Sequence, residues 1–332
     1  MLDLDLRAAP DWITHLVTGA ADAGDDIQTA LRLTGKYGSQ LPLPGSGDTL
    51  LRWAVLAAVA RENLTVARVL EAHTDALAII AEAGQEAPPD STWGVFAAEA
   101  PHVRLDASTH EGATTLFGTK PWCSLGADLD HALVTAHVGE QRQLFQVDLR
   151  QPAVRAHPAQ GWVARGLHTV VSVPIEFDAA AAEPVGEPGW YLQRRGFAWG
   201  GIGVAACWYG GAVGLADAVV RASAKRTGDL ADLHVGTVDV ALHGARSALR
   251  DGAAAIDAGK VDDPELLALR VRSVVADAVE RVLHQAGHAL GPAPLAFDAA
   301  HAARVADLEL YVRQHHGERD LAALGNRVVT PR

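Results

Sequence analysis

Apolar positions along this chain recur at two different spacings. Val66, Val69, Leu70, His73, Leu77, Ile80 and Ala81 fall three or four residues apart, as on one face of an α-helix. Gly84 supplies the left-handed residue that ends such a helix, and Pro88-Pro89-Asp90 marks a boundary. Upstream, Leu41-Pro42-Leu43-Pro44-Gly45-Ser46-Gly47 is rich in turn residues, and Asp48 or Thr49 is expected to cap a helix starting at Leu50. From Thr92 to Gly189 the period shortens to two: Val103, Leu105 and Ala107 alternate with Arg104, Asp106 and Ser108, as in a strand. Short apolar runs at 133–138 and 144–149, separated by turn residues, extend the pattern of an antiparallel sandwich or barrel. After Trp190 the helical spacing returns. Asp263-Pro264-Glu265 is an N-cap, an N1 proline and an acidic first turn. Leu267, Val271, Val274, Val275, Ala278, Val282 and Leu283 form the stripe that follows, with Gly287 as the expected stop and a further helix over 299–315. The pattern predicts an α+β chain: an N-terminal helical part (1–90), a central antiparallel β-domain (91–189) and a C-terminal helical bundle (190–332).

Composition narrows what such a chain does. Hydrophobic residues make up 49% and charged residues 20% of its 332 positions, as in an ordinary globular protein large enough to bury a core without staples. A formal charge of −12 argues against a nucleic-acid surface, which requires clustered Lys and Arg. Cys123 and Cys207 form no framework and read as reduced thiols of a cytoplasmic protein. The opening Met1-Leu2-Asp3-Leu4-Asp5 lacks the basic and apolar regions of a secretory signal. The nearly uncharged stretch 197–220 carries six glycines and Asp217, and reads as a buried, closely packed helix and not a membrane span. Within it Gly201-x-Gly203-x-x-Ala206 imitates a dinucleotide fingerprint, but the strand that must precede one is missing.

The most specific stretch is Gly118-Thr119-Lys120-Pro121-Trp122-Cys123-Ser124. It resembles the G-x-K-x-W-[IC]-[TS] loop in the middle β-domain of acyl-CoA dehydrogenases. Three further segments resemble that family in the right order: 166–189, the glycine-bearing run 201–210, and 287–325. The resemblance implies FAD as cofactor, with the Trp122 indole covering the flavin ring and the Ser124 hydroxyl near its reactive edge. It implies a hydride or electron transfer to or from an acyl thioester, acyl-CoA included, or a similar carbonyl compound. It also implies a homodimer or homotetramer joined through the C-terminal helices. Read without chemistry, the same loop is a hairpin turn around a core Trp.

The departures from the family pattern are as informative. Ala98-Glu99-Ala100-Pro101 stands where the family has T-E-P-x-A-G-S-D, so the flavin-binding Thr hydroxyl and the G-S-D run are gone. Lys225 and Arg226 lie close to, but offset from, the family's pyrophosphate-binding Arg, and Gly291 is what remains of Q-x-x-G-G. Both usual carboxylate bases are replaced: one position falls near Gly200, the other at His315, with Glu318 three residues on. By resemblance His315 is the candidate base, since a group titrating near neutrality suits that role, with Glu318 beside it. Lys225, Arg226, Gly291 and His315 read equally as surface charges, a helix-ending turn and a polar helix end. No metal set is apparent, because His315 and His316 are adjacent and no third ligand follows. Two alternatives stay open: a binding or assembly protein that keeps the fold without the chemistry, and a flavin-dependent monooxygenase.

Overall fold

The computed structural model describes residues 9–225 and 228–330. Four helices come first: α1 (Asp11–Asp22), α2 (Ile27–Tyr37), α3 (Thr49–Glu62) and α4 (Leu64–Glu82). Seven strands follow: β1 (Trp93–Phe96), β2 (Leu105–His110), β3 (Ala113–Ser124), β4 (His131–Val138), β5 (Gln141–Asp148), β6 (Val154–Ala156) and β7 (Ser172–Val185). Helices return as α5 (Trp190–Gln193), α6 (Arg195–Ser223), α7 (Asp229–Asp257), α8 (Pro264–Leu290), α9 (Ala293–Phe297), α10 (Ala299–Tyr311) and α11 (Glu318–Val329).

Strands β4, β2, β3, β7 and β5 close into a small barrel, because β5 pairs with both β7 and β4. The ladder is mainly antiparallel, yet β1 runs parallel to β4, and β2 meets β4 in parallel at Asp106 and His137. An alternation pattern reports which face of a strand is buried but not the direction of its neighbour, so these parallel contacts were not visible in it. The pair Glu99–Lys120 ties the β1–β2 connection to the barrel wall. Lys120 is 2% exposed, and its ammonium donates to Glu99 Oε1 at 2.7 Å and to Thr135 Oγ1 at 2.8 Å. Burial lowers the pKa of Lys120, opposed by Glu99. Burial raises that of Glu99, but the Lys120 hydrogen bond and charge outweigh it and leave it low.

The expected cap of α3 is supplied differently. Asp48 makes no capping bond; instead Asp257, the last residue of α7, accepts from Thr49 N at 3.0 Å and from Thr49 Oγ1 at 2.6 Å. A carboxylate distant in sequence thus satisfies a free first-turn amide. In α4 the cap is local, Asn63 accepting from Val66 N, and Gly84 takes the left-handed conformation just past the end. Asp263 caps α8 with Pro264 at the first position, but the helix runs through Gly287 and stops at Gly291, φ +68°. A glycine within a periodic stretch is tolerated in a helix at about 1 kcal/mol, and Gly287 is such a case. The 299–315 helix divides into α10 and a 3-10 turn over Val312–Gln314.

The apolar 197–220 stretch lies inside α6. Of the described helices, α6 alone is long and apolar enough to cross a membrane, and 78% of its most apolar window is buried within the protein. The dinucleotide-like glycines Gly201 and Gly203 sit in its first three turns with no strand before them. A Cβ on either would meet only ordinary contacts, whereas a Cβ on Gly210, two turns further on, would collide with the carbonyl of Ala57 in α3. The two helices therefore cross with backbone against backbone.

Gly210→Ala should cost about 1–3 kcal/mol by overpacking, since a backbone carbonyl cannot move aside. Gly287→Ala, whose Cβ would meet open space, should gain up to about 1 kcal/mol; urea unfolding measures both. Glu99→Ala should cost about 3–5 kcal/mol by stranding a buried ammonium. Adding Lys120→Met should recover most of that loss, as a double-mutant cycle would show.

Candidate functional site

Two polar features meet at one small cavity. The first is the corner where β3 ends. Pro121 cannot donate to the ladder, and the β3–β7 register shifts between Lys120 and Cys123. The residue left over is Trp122, held at φ +59° with 60% of its surface exposed. Its neighbours Leu125 and Leu167 are also left-handed, at φ +56° and +49°. Such conformations cost bulky residues about 1–3 kcal/mol each and gather at functional sites. Ser124 Oγ lies 2.8 Å from Ser172 Oγ, which is 3.0 Å from Val170 O. When Ser172 donates to Val170, Ser124 donates to Ser172 and presents lone pairs outward. When Ser172 turns its proton to Ser124, the Ser124 proton is free to point outward. Nearby Thr169 Oγ1 is buried with no partner. The loop over 165–171 is clasped from the helical side, where Asp307 of α10 accepts from Leu167 N at 2.5 Å.

The second feature is a buried polar cluster among α3, α4, α5, α6 and α10. Arg68 Nη1 donates to Glu71 Oε2 at 2.7 Å, and Tyr311 Oη donates to the same oxygen at 3.1 Å. Cys207 of α6 sits beside Tyr311, and burial pushes its thiol well above the ordinary range. Burial also raises Glu71, against the pull of Arg68. Arg52 donates to Pro42 O at 3.1 Å, and Arg194 donates to Glu82 Oε2 at 2.7 Å. His73 accepts from Trp93 N at 3.2 Å, and burial, aided by Arg52, brings its pKa down to about 4. It is therefore a neutral acceptor that ties α4 to β1.

The cavity joining these features holds about 20 Å³, with Arg68, Val69 and Ala72 on one wall and Trp93–Phe96, Ser124, Leu125 and Val170 on the others. A single water needs about 10–15 Å³ by this measure, so the crevice has room for about one. A larger cleft of about 430 Å³ lies open on the outer side of α8 and α10 and is lined by Glu280, Leu283, His284, Glu309 and Arg313.

His315 follows the 3-10 turn and is half-buried. Its Nε2 lies 3.1 Å from Ser273 Oγ and 3.8 Å from Asp320 Oδ2, while Gly317 N donates to its Nδ1 at 3.3 Å. An accepting Nδ1 places the proton of the neutral ring on Nε2, so His315 donates toward Ser273 and is no base toward it. Burial lowers its pKa. Trp208 stands between His315 and the Glu71 cluster, edge-on to the His315 ring at 6.5 Å and to the Tyr311 ring at 6.4 Å.

Glu318 is exposed in the first turn of α11, where a carboxylate favours the helix dipole. Lys225 is exposed at the turn after α6, Gly291 is the C-cap of α8, and Arg226 lies outside the described residues. The structure thus draws Ser124 and Trp122 to the corner. It sets His315 behind Trp208, and leaves Glu318, Lys225 and Gly291 at helix ends. The carboxyls on the helix that forms the cavity wall, Glu71 and Asp75, escaped the sequence reading. Their signal was there: Arg68, Glu71 and Asp75 recur at helical spacing on an otherwise apolar helix.

No protein-family model and no curated relative matches the sequence. Solved structures do match in fold. Butyryl-CoA dehydrogenase from Megasphaera elsdenii superposes with a TM-score of 0.79 at 17% identity, over 97% of this chain and 99% of that one. A dibenzothiophene monooxygenase from Paenibacillus sp. A11-2, solved with FMN and indole, gives 0.80 at 16% identity over 97% of both chains. KijD3, solved with FMN and a dTDP-linked amino-keto sugar, gives 0.76 at 17% identity over 96% of this chain and 91% of that one. The chain has the acyl-CoA dehydrogenase fold.

Nitrogen-detected NMR of the imidazoles should find His315 as the Nε2–H tautomer at neutral pH. It should titrate below the ordinary histidine value of about 6.5; an Nδ1–H ring would contradict the bond from Gly317.

Proposed function

We propose that this protein is a flavin-dependent oxidoreductase, a divergent relative of the acyl-CoA dehydrogenases. The observation that carries the reading is the strained corner at the end of β3. There a left-handed, exposed Trp122 stands beside a reversible Ser124–Ser172 hydroxyl pair and an unpartnered Thr169 hydroxyl. This donor and acceptor set fits the polar edge of a planar heteroaromatic ring, and an indole face fits its apolar surface. A bound flavin would supply the two-electron chemistry.

The chain's own residues have other tasks in this reading. Trp122 covers the ring and excludes water. Ser124 orients its edge, switching between donor and acceptor through Ser172. Asp307 holds the 165–171 loop against α10 and so keeps Thr169 and Ser172 in place. Ala98 provides no hydroxyl, which removes one bond worth about 1 kcal/mol and weakens retention of the ring. Lys225 and Arg226 are the candidate phosphate cations, with Gly291 a candidate for close backbone approach; the resemblance favours FAD over FMN. The substrate is a small carbonyl compound, of which an acyl thioester is the family's form. The site lies where the units 1–90, 91–189 and 190–332 adjoin. Exposed apolar residues on the C-terminal helices, Leu230 (75%), Val240 (70%) and Phe297 (90%) among them, fit self-association.

A second reading, a binding protein without redox chemistry, is favoured by one observation: the inner crevice admits no more than about one water.

The visible spectrum of the purified protein, recorded before and after adding FAD or FMN, tests the proposal. A bound flavin spectrum is expected, and Trp122→Ala should weaken flavin affinity at least ~10-fold, a loss of about 1.4 kcal/mol, with unchanged circular dichroism. Absence of flavin binding by the folded protein would leave the second reading standing.

A further inference from the structure

Asp75 is the charged group of the helical cluster that none of the roles above uses. It lies on α4 two turns beyond Arg68 and one beyond Glu71, on the face that continues from the cavity wall. Its carboxylate is half-buried and seated on α6 at Gly200, where a Cβ would collide with Oδ1. Helix α6 thus gives up a side chain to admit it. Three guanidinium groups surround Asp75, from Arg52, Arg68 and Arg194, and each bonds another acceptor: Pro42 O, Glu71 and Glu82 respectively. Among the described residues Asp75 has neither a hydrogen bond nor an ion pair. The groups facing it are Arg52 from α3, Arg68, Glu71 and Glu82 from α4, Tyr191 from α5, and Arg194 at the α5–α6 junction. A structural carboxylate among three arginines would be bonded to one of them. This one is left free at a glycine-floored surface.

We propose that Asp75 is the acid–base group of the site, exchanging a proton with a substrate that enters over Gly200 and Gly201. For a carbonyl substrate the step balances without an oxidant. An O–H bond forms at the Asp75 carboxylate as a C–H bond beside the carbonyl breaks, and the electron pair is delocalised onto the carbonyl oxygen. The negative charge passes from Asp75 to the substrate. The positive field of Arg52, Arg68 and Arg194 holds that charge in either place. Burial raises the pKa of Asp75, opposed by Arg194 and Arg52, which makes it a stronger base than an exposed carboxylate. The inference rests on the oxidoreductase reading for the nature of the substrate but not for the state of the carboxyl.

Dicyclohexylcarbodiimide tests that state on the purified full chain without a substrate. It reacts with a protonated carboxyl, whose proton passes to nitrogen as oxygen bonds the central carbon, and a stable N-acylurea results. Mapped by mass spectrometry at pH 6, Asp75 should label at least ~10-fold faster than exposed Glu318. The rate should fall as pH rises through a midpoint above the ordinary aspartate value of about 3.9. Asp75→Asn should abolish the label. Because the folded form binds this proton more tightly than the unfolded chain, the wild type should lose stability relative to Asp75→Asn as pH rises through that midpoint. Labelling no faster than at Glu318, or a stability difference independent of pH, would overturn the proposal. In the flavin-loaded protein, with butyryl-CoA as the probe, Asp75→Asn should slow substrate-dependent reduction about 100-fold or more while flavin affinity stays within about 2-fold. Equal rates would also overturn it. If butyryl-CoA does not reduce the wild type, the labelling result decides. Fast labelling in a protein that binds no flavin would sink the oxidoreductase reading alone.

Discussion

The close crossing of α6 with α3 and α4 is the constraint on which the rest of the structure depends. Glycines at 200, 210 and 214 remove the side chains that would hold these helices apart. Gly210 meets the Ala57 carbonyl, and Gly214 lies against the Arg61 carbonyl and Arg304. With the backbones this near, the larger residues between them, Trp53, Cys207 and Trp208, are fully enclosed. The same nearness brings α4's charged residues into the bundle. Dispersion between small groups rewards such packing only if the fit is close, so the helix must be glycine-bearing and apolar together. That combination gives it the composition of a membrane span and the surroundings of a core helix.

Enclosing charge this way is costly. A buried guanidinium or carboxylate loses several kcal/mol of hydration, and pairing restores it only with good geometry and filled valences. The cluster meets that condition unevenly. Glu71 is held by Arg68 and Tyr311, and Arg194 by Glu82, whereas Asp75 is surrounded by cations and bonded to none. Replacing the set with apolar residues of equal volume would serve stability at least as well. The retention of a partly satisfied network beside the cavity is a reason to assign it chemistry.

The strand side shows the same economy. Trp122, Leu125 and Leu167 all take left-handed conformations around one corner, and the loop that shares the strain is clasped by Asp307 from the helical side. The Lys120–Glu99 pair fixes the other flank of β3. The corner is therefore held from both sides while its indole faces solvent. His315, the base expected by resemblance, is separated from the Glu71 cluster by Trp208, and its tautomer is set by Gly317 N.

The sequence by itself determined the succession of helices, strands and helices, the buried state of the 197–220 stretch, and the loop that carries Trp122 and Ser124. Each depends on local periodicity, on a short motif, or on a cap such as Asp263 that acts within three residues. Tertiary structure alone decided the cap of α3, which comes from Asp257, and the end of α8, which passes Gly287. It also decided the parallel placing of β1 and the gathering of Arg52, Arg68, Glu71, Asp75, Arg194 and Tyr311 into one cluster. These residues come from three helices and the junction between two others, and nothing in their spacing along the chain says that they meet. A motif records what adjacent residues can do; which carboxyl reaches a cavity is set by helix crossings, and those depend on steric fit between segments far apart in sequence.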